Sequence, residues 1–180
     1  LNTYLSINNK KRQSLGFTLI FLPTKSLIFQ LVKLLSENVD SQTIIIPLYS
    51  KIHENIKKAA LKIIDCSKIK LDQTSLFTGM YNINDSANYD YKVIVSTNIT
   101  EASLTVKDLG IVIDTGLVYK PAYDFRITLP SKLEYRFISS TNSIQRIGRV
   151  GRVKDGACYL MYSKDFIDKI DRRLEIASQP

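Results

Sequence analysis

The sequence predicts an α/β domain with a mostly parallel central sheet, and three observations carry that expectation. Residues 17–22, 43–46, 92–96 and 108–114 are short and largely apolar without alternation, the pattern of strands buried on both faces. Between the first two, residues 26–38 repeat Leu27, Leu31, Leu34 and Ile28, Val32, Leu35 at helical spacing. Strand, helix and strand in that order make successive strands parallel and put the functional loops at their carboxyl ends.

The elements follow in order. Residues 1–14 are polar, with Lys10, Lys11 and Arg12 clustered, and read as a lead-in from an upstream domain; the domain proper is expected over 15–180. Pro23 stops the first strand and Pro47 the second. Ile52, Ile56, Ala59, Ala60, Ile63 and Ile64 form a second helical stripe, with lysines mostly outside it. Residues 65–91 are polar and rich in asparagine, and read as a loop with a short strand near 75–77. The alternation breaks at 117–138, which reads as an inserted β-hairpin turning at Leu129, Pro130 and Ser131. Ser139, Ser140, Thr141 and Asn142 then offer N-caps for a helix, before a last strand at 156–162 and a closing helix at 164–176.

Bulk properties narrow the function. A chain of 180 residues suits one domain with a real core. Its 25 Lys+Arg against 17 Asp+Glu give +8, which favours a polyanionic partner such as nucleic acid. No apolar run approaches the roughly 18–20 residues of a membrane span, and no secretory leader is visible. Cys66 and Cys158 are isolated and read as thiols of a reducing, cytoplasmic compartment. The lone His53 argues against a histidine triad or a histidine-built zinc site.

One stretch stands out. Residues 145–152 read Gln-Arg-Ile-Gly-Arg-Val-Gly-Arg. As a helix, it would place Gln145, Arg149 and Arg152 on one face, where like charges repel unless an anion answers them. Arginine is the planar, permanently charged fork that suits phosphate oxygens. The plain alternative is a solvated basic helix with a glycine stop.

That stretch resembles motif VI of superfamily 2 DExH/DEAH helicases, and further segments resemble the family in the right order. Residues 96–105, Ser-Thr-Asn-Ile-Thr-Glu-Ala-Ser-Leu-Thr, are similar to motif V; Phe21-Leu22-Pro23-Thr24-Lys25 is similar to motif IV. Pro47-Leu48-Tyr49-Ser50, and Val112-Ile113-Asp114-Thr115-Gly116 before Lys120-Pro121, also match. The resemblance covers roughly residues 15 to 165. It implies the second RecA-like domain of an ATP-dependent RNA helicase, a three-layer fold with an inserted hairpin. The wording of motif V resembles cellular DEAH-box proteins. Val150 and the Leu22-Pro23-Thr24 loop resemble viral helicases of the flavivirus, potyvirus and poxvirus kind, so a viral origin is expected.

The resemblance also assigns roles. Arg152 and Arg149 correspond to phosphate-contacting arginines, Arg152 as the finger on the γ-phosphate, and Gln145 to the residue that orients the attacking water. Arg146 is expected to be a structural ion-pair partner. Ser103 and Thr105 match nucleotide-facing positions, with helix capping as the alternative; Glu101 could couple to the nucleotide site or form an ordinary salt bridge. Thr24, Lys25, Thr97 and Asn98 match residues that hold an RNA backbone phosphate, which implies sequence-independent, salt-sensitive binding. Phe77 could stack on the base. The hairpin, with Tyr119, Tyr123, Phe125, Tyr135 and Phe137 among Lys120, Arg126, Lys132 and Arg136, acts in the family as a duplex-splitting wedge; its rings could instead pack a satellite core.

The sequence has no Gly-x-x-x-x-Gly-Lys-Ser/Thr and no Asp-Glu-x-His. ATP or another NTP, with Mg2+, would therefore be bound mainly by a first RecA-like domain that this chain lacks, and no metal ligand set is expected here. The isolated chain is expected neither to hydrolyse ATP nor to unwind. The implied partners are that upstream domain and RNA, or DNA by the same backbone chemistry. The alternatives are a RecA-like scaffold or binding module, and an RNA-stimulated translocase that does not unwind.

Overall fold

The computed structural model describes residues 1–40, 42–50, 52, 91–98, 106, 108–123, 130–152, 154–163 and 165–166. Among the described residues five strands form one parallel sheet: β1 (Phe17–Phe21), β2 (Thr43–Leu48), β3 (Tyr91–Ser96), β4 (Leu109–Asp114) and, after the hairpin strands described below, β7 (Ala157–Leu160). Their spatial order is β2-β3-β1-β4-β7, with Leu19 of β1 beside Ile94 of β3 and Val112 of β4. All six residues of β3 and of β4 are buried. Consecutive burial along a strand means that both faces of the sheet are covered, as in a three-layer α/β domain.

The second strand outruns its expected end. Pro47 lies inside β2, in register with Val95, rather than stopping it. Among the described residues β2 is an edge strand, where a missing N–H need cost no ladder bond on the open side. Helix α3 (Lys25–Ser36) begins at Thr24, whose Oγ1 accepts the Leu27 N–H at 3.3 Å. Of its two apolar stripes, Ile28, Val32 and Leu35 are buried, while Leu34 is 43% exposed. The helix is thus apolar over a wider arc than the sheet covers.

Residues expected to be a polar lead-in form two short helices, α1 (Asn2–Ser6) and α2 (Asn9–Leu15). Tyr4 and Ile7 are fully buried in the core, and the Arg12 guanidinium lies 4.4 Å from the Tyr4 ring centroid. Sparse apolar residues in a basic segment hid this: arginine covers an aromatic face with its planar head while the local sequence still reads as polar.

The expected hairpin is present as β5 (Leu117–Tyr123) and β6 (Pro130–Phe137), paired antiparallel from Leu117 opposite Phe137 to Tyr123 opposite Pro130. Pro130 starts β6 instead of sitting in the turn. Helix α4 (Ser140–Ile147) follows, with Ser139 as its N-cap. The expected helix at 52–64, the loop and strand over 65–90, and the closing helix beyond Phe166 lie outside the described residues.

Candidate functional site

The carboxyl edge of the sheet is stitched strand to strand. The Thr97 N–H donates to the Leu48 carbonyl at 3.1 Å, and the Leu22 N–H to the Ser96 carbonyl at 2.8 Å. The Thr115 hydroxyl donates to the Phe21 carbonyl at 3.0 Å, and the Met161 N–H to the Asp114 carbonyl at 2.9 Å. Each strand exit therefore caps its neighbour, and the loops that leave the edge start from fixed points. Thr24 and Lys25, after β1, and Thr97 and Asn98, after β3, leave from adjacent strands.

These side chains already have local work. Thr24 caps α3. The Lys25 ammonium stands 4.4 Å from the Tyr49 ring centroid and 5.4 Å from that of Phe29. Asn98 is exposed and Thr97 half-buried. A backbone phosphate at this edge would meet a lysine whose direction is set by two rings.

Beside β4 lies a buried polar cluster centred on Asp114. Its Oδ1 accepts from Arg146 Nη1 at 2.7 Å and from the Gly116 N–H at 2.9 Å; its Oδ2 accepts from the Tyr162 hydroxyl at 2.9 Å. Arg146 is 1% exposed and Asp114 is fully buried. The same guanidinium points Nη1 and Nη2 at the Leu117 carbonyl, at 3.4 and 3.5 Å, and lies 4.7 Å from the Phe21 ring centroid. Arg146 is thus the structural ion-pair partner expected from the sequence. Burial, together with the Asp114 carboxylate, pushes the Tyr162 hydroxyl up to about 12. Gly116 has φ +72°, and a Cβ there would come 2.4 Å from the Tyr162 ring, so the contact requires glycine.

The arginine stretch does not form the single helix expected. α4 ends at Ile147; the Arg149 and Val150 N–H groups turn to the Arg146 and Ile147 carbonyls, both at 3.2 Å, and Gly151 takes φ +73°. Two glycines lower helix propensity, and the last turn tightens into i to i−3 bonds that satisfy its carbonyls. Gln145, Arg149 and Arg152 are consequently not three rungs of one helix face. Instead the arginines fold back on the helix end. Arg149 Nε donates to the Gln145 carbonyl at 3.3 Å and Arg152 Nε to the Gly148 carbonyl at 2.9 Å. Cations at a helix carboxyl terminus complement its dipole. Gln145 and Arg152 are exposed, Arg149 half-buried. From there the chain descends along β7, with the Cys158 thiol 3.8 Å from the Ile147 carbonyl. Burial pushes the Cys158 thiol above its ordinary range, as does the nearby Asp114 carboxylate.

The donor set formed by Gln145, Arg149 and Arg152 suits a polyphosphate, with amide and guanidinium groups and no carboxylate among them. Among the described residues no group of three or more His, Cys, Asp or Glu side chains is placed to hold a metal ion.

The comparisons with known proteins bear on the family and the fold. The model of the helicase conserved C-terminal domain matches residues 3–154. The chain belongs to that family. It is 34% identical over 169 residues to the human ATP-dependent RNA helicase DHX29, covering 92% of this chain and 11% of that protein. It is 30% identical over 160 residues to the ATP-dependent RNA helicase HrpA of Borreliella burgdorferi, covering 88% of this chain and 17% of that protein. The crystal structure of the Escherichia coli DEAH/RHA helicase HrpB shares the RecA-like fold with a TM-score of 0.69 at 23% identity, over 93% of this chain and 18% of that one. The helicase domain thus spans only a small part of each relative's length. The expected viral origin finds no support: human, plant and bacterial relatives stand beside a putative helicase of Acanthamoeba polyphaga mimivirus, 40% identical over 81 residues, 45% of this chain and 12% of that protein.

In this helicase domain Ser103, Thr105, Glu101 and Phe77 lie outside the described residues. The structure gathers Thr24, Lys25, Thr97 and Asn98 at two neighbouring strand exits; Gln145 lies in the last turn of α4, with Arg149 and Arg152 just past the helix end. The hairpin sorts its residues differently from the expectation of rings among cations. Tyr119 faces Tyr135, Leu117 faces Phe137 and Pro121 faces Leu133, all on one face; Val118 and Lys120 face Arg136 and Glu134 on the other. Period-two alternation separates what the sequence interleaves. Tyr119 and Tyr135 stay 42% and 56% exposed, so they do not form a closed satellite core; Val118 and Ile138, with Tyr162, do. The side chains of Tyr123, Phe125, Arg126 and Lys132 lie outside the described residues.

Sequence reasoning passed over Asp114 and Tyr162 as site-builders. The signal was an acid closing a wholly apolar strand, which has to find a cation when buried; Arg146 in the next helix was the candidate.

Proposed function

We propose that this chain is the second RecA-like domain of an ATP-dependent RNA helicase, and that it completes the ATP site with its arginine stretch while gripping RNA at its carboxyl edge. One observation carries the reading: within a single motif Arg146 is locked into the core, whereas Arg152 stands exposed beyond the helix end, with its Nε on the Gly148 carbonyl. The buried arginine fixes the stretch and the exposed one is presented outward.

Bound ATP, with Mg2+ held mainly by the first domain, would supply phosphoryl transfer to water. This chain's residues divide the work between the nucleotide and the RNA. Arg152 and Arg149 neutralise charge on the phosphates; where a finger arginine has been measured it is worth about 10³–10⁵ in rate. Gln145 orients the attacking water through its amide donor and acceptor. Ser103, Thr105 and Glu101 line the nucleotide side. Thr24, Lys25, Thr97 and Asn98 hold the RNA backbone, and the hairpin's aromatic face meets bases. Closure of the two domains around the nucleotide couples these sites, because the ligand favours the closed arrangement.

The test is RNA-stimulated ATP hydrolysis and strand displacement by the whole protein. Both activities, lost in Arg152→Ala with RNA affinity kept, support the reading. Hydrolysis without displacement points to a translocase, and RNA binding with no hydrolysis to a scaffold module.

A further inference from the structure

We infer that Asp114 and Tyr162 are positioning residues that tie the arginine stretch to the base of the hairpin, a role that rests on the helicase reading above. Four segments meet at one carboxylate. Asp114 ends β4, Gly116 and Leu117 open the hairpin, Ser143 and Arg146 belong to α4, and Tyr162 follows β7. The Tyr162 hydroxyl has one proton, which it donates to Asp114 Oδ2; the Ser143 hydroxyl, 2.9 Å away, therefore donates to the Tyr162 oxygen. α4 is held at two successive turns, by Ser143 through Tyr162 and by Arg146 directly. Arg146 also reaches the Leu117 carbonyl, the first residue of β5. A buried ion pair whose remaining donors and acceptors are filled has one geometry, since any displacement leaves a charge unpaired in a dry site. A shift of the hairpin base moves the Gly116 N–H and the Leu117 carbonyl, and Arg146 has to follow. Arg149 and Arg152 stand directly after it. Asp114 is fully buried and the Tyr162 hydroxyl is engaged with Asp114 and Ser143, so both act through where they hold the arginines.

The experiment uses the whole helicase carrying Tyr162→Phe, which keeps the ring over Gly116 and removes the hydroxyl. Misplacing catalytic groups by about 1 Å can cost about a hundredfold in rate, so kcat for ATP hydrolysis should fall by up to that factor while KM for ATP and RNA affinity stay near wild type. Ser139→Ala serves as the comparison, because it weakens the same helix at its cap without touching the cluster. It should lower the melting temperature and leave kcat unchanged. Asp114→Asn should deepen the kcat loss. If Tyr162→Phe keeps the wild-type kcat, or loses it only in step with stability as Ser139→Ala would, the positioning role is wrong. A wild-type protein that hydrolyses no ATP overturns the underlying helicase reading, and this proposal with it.

Discussion

Arg146 and Arg152 share one short motif and one chemistry, yet the fold treats them oppositely. Arg146 is sealed against Asp114, its fork filled by a carboxylate and a carbonyl and its plane set over Phe21. Arg152 lies past the helix end in solvent, with its Nε on the Gly148 carbonyl. The difference teaches that arginine count says little about anion binding. A guanidinium is available to a ligand only where the protein has not already answered it, and the answered one determines where the available one points.

The contrast can be broken most sharply by removing the exposed member. Arg152→Ala in the whole helicase should reduce ATP hydrolysis by about 10³-fold or more, while the thermal stability of this domain changes little, as expected at a surface position. Normal turnover in that variant would end its assignment as the finger.

Arg146→Ala should do the reverse and act on folding. Leaving the Asp114 carboxylate buried and unpaired costs about 3–5 kcal/mol, readable as a lower denaturation midpoint of the isolated domain. A loss under about 1 kcal/mol, as for an exposed pair, would show that the site is wet rather than sealed.

A smaller effect separates the two roles of the β1 exit. Thr24→Ala should cost about 1 kcal/mol of stability through the lost cap, and Thr24→Ser should restore it. Lys25→Ala should weaken RNA binding uniformly across sequences and lower the slope of log affinity against log salt by about 1. An unchanged salt slope would remove Lys25 from the RNA contact.

The smallest effect is in pH. The Tyr162 hydroxyl is raised from 10.0 to about 12 in the folded protein, so the neutral form is favoured on folding. Its contribution is complete below pH 10 and is lost as the pH rises through about 12. Denaturant titrations across that window should show a fall in stability that Tyr162→Phe lessens; parallel curves for the two proteins would place the hydroxyl outside the network.

Much of the fold was legible because parallel strands buried on both faces must be apolar throughout, and β1, β3 and β4 announce themselves that way. Pro47 misled because proline's missing donor matters only where a neighbour needs it, and edge position is not written in a local window. Residues 1–14 misled because Tyr4 and Ile7 are few among polar neighbours, and only the docked helix shows that Arg12 closes over the tyrosine. At the candidate site, the motif singled out the arginines as an expectation but put them on a helix face, and the structure ends that helix at Ile147 ahead of Gly148 and Gly151.

The sequence by itself determined the strands β1, β3 and β4, the hairpin, the basic character and the membership of the helicase domain family, since each is carried by local pattern or ordered motifs. Only the tertiary structure decided which arginine is buried and which is exposed, and that the described rings Tyr119, Tyr135 and Phe137 lie on the opposite hairpin face from Lys120 and Arg136. It alone assembled Asp114, Ser143, Arg146 and Tyr162 around one carboxylate. Those outcomes depend on which distant groups meet in a dry interior, where a charge must be matched by a partner, and no spacing along the chain contains that distance.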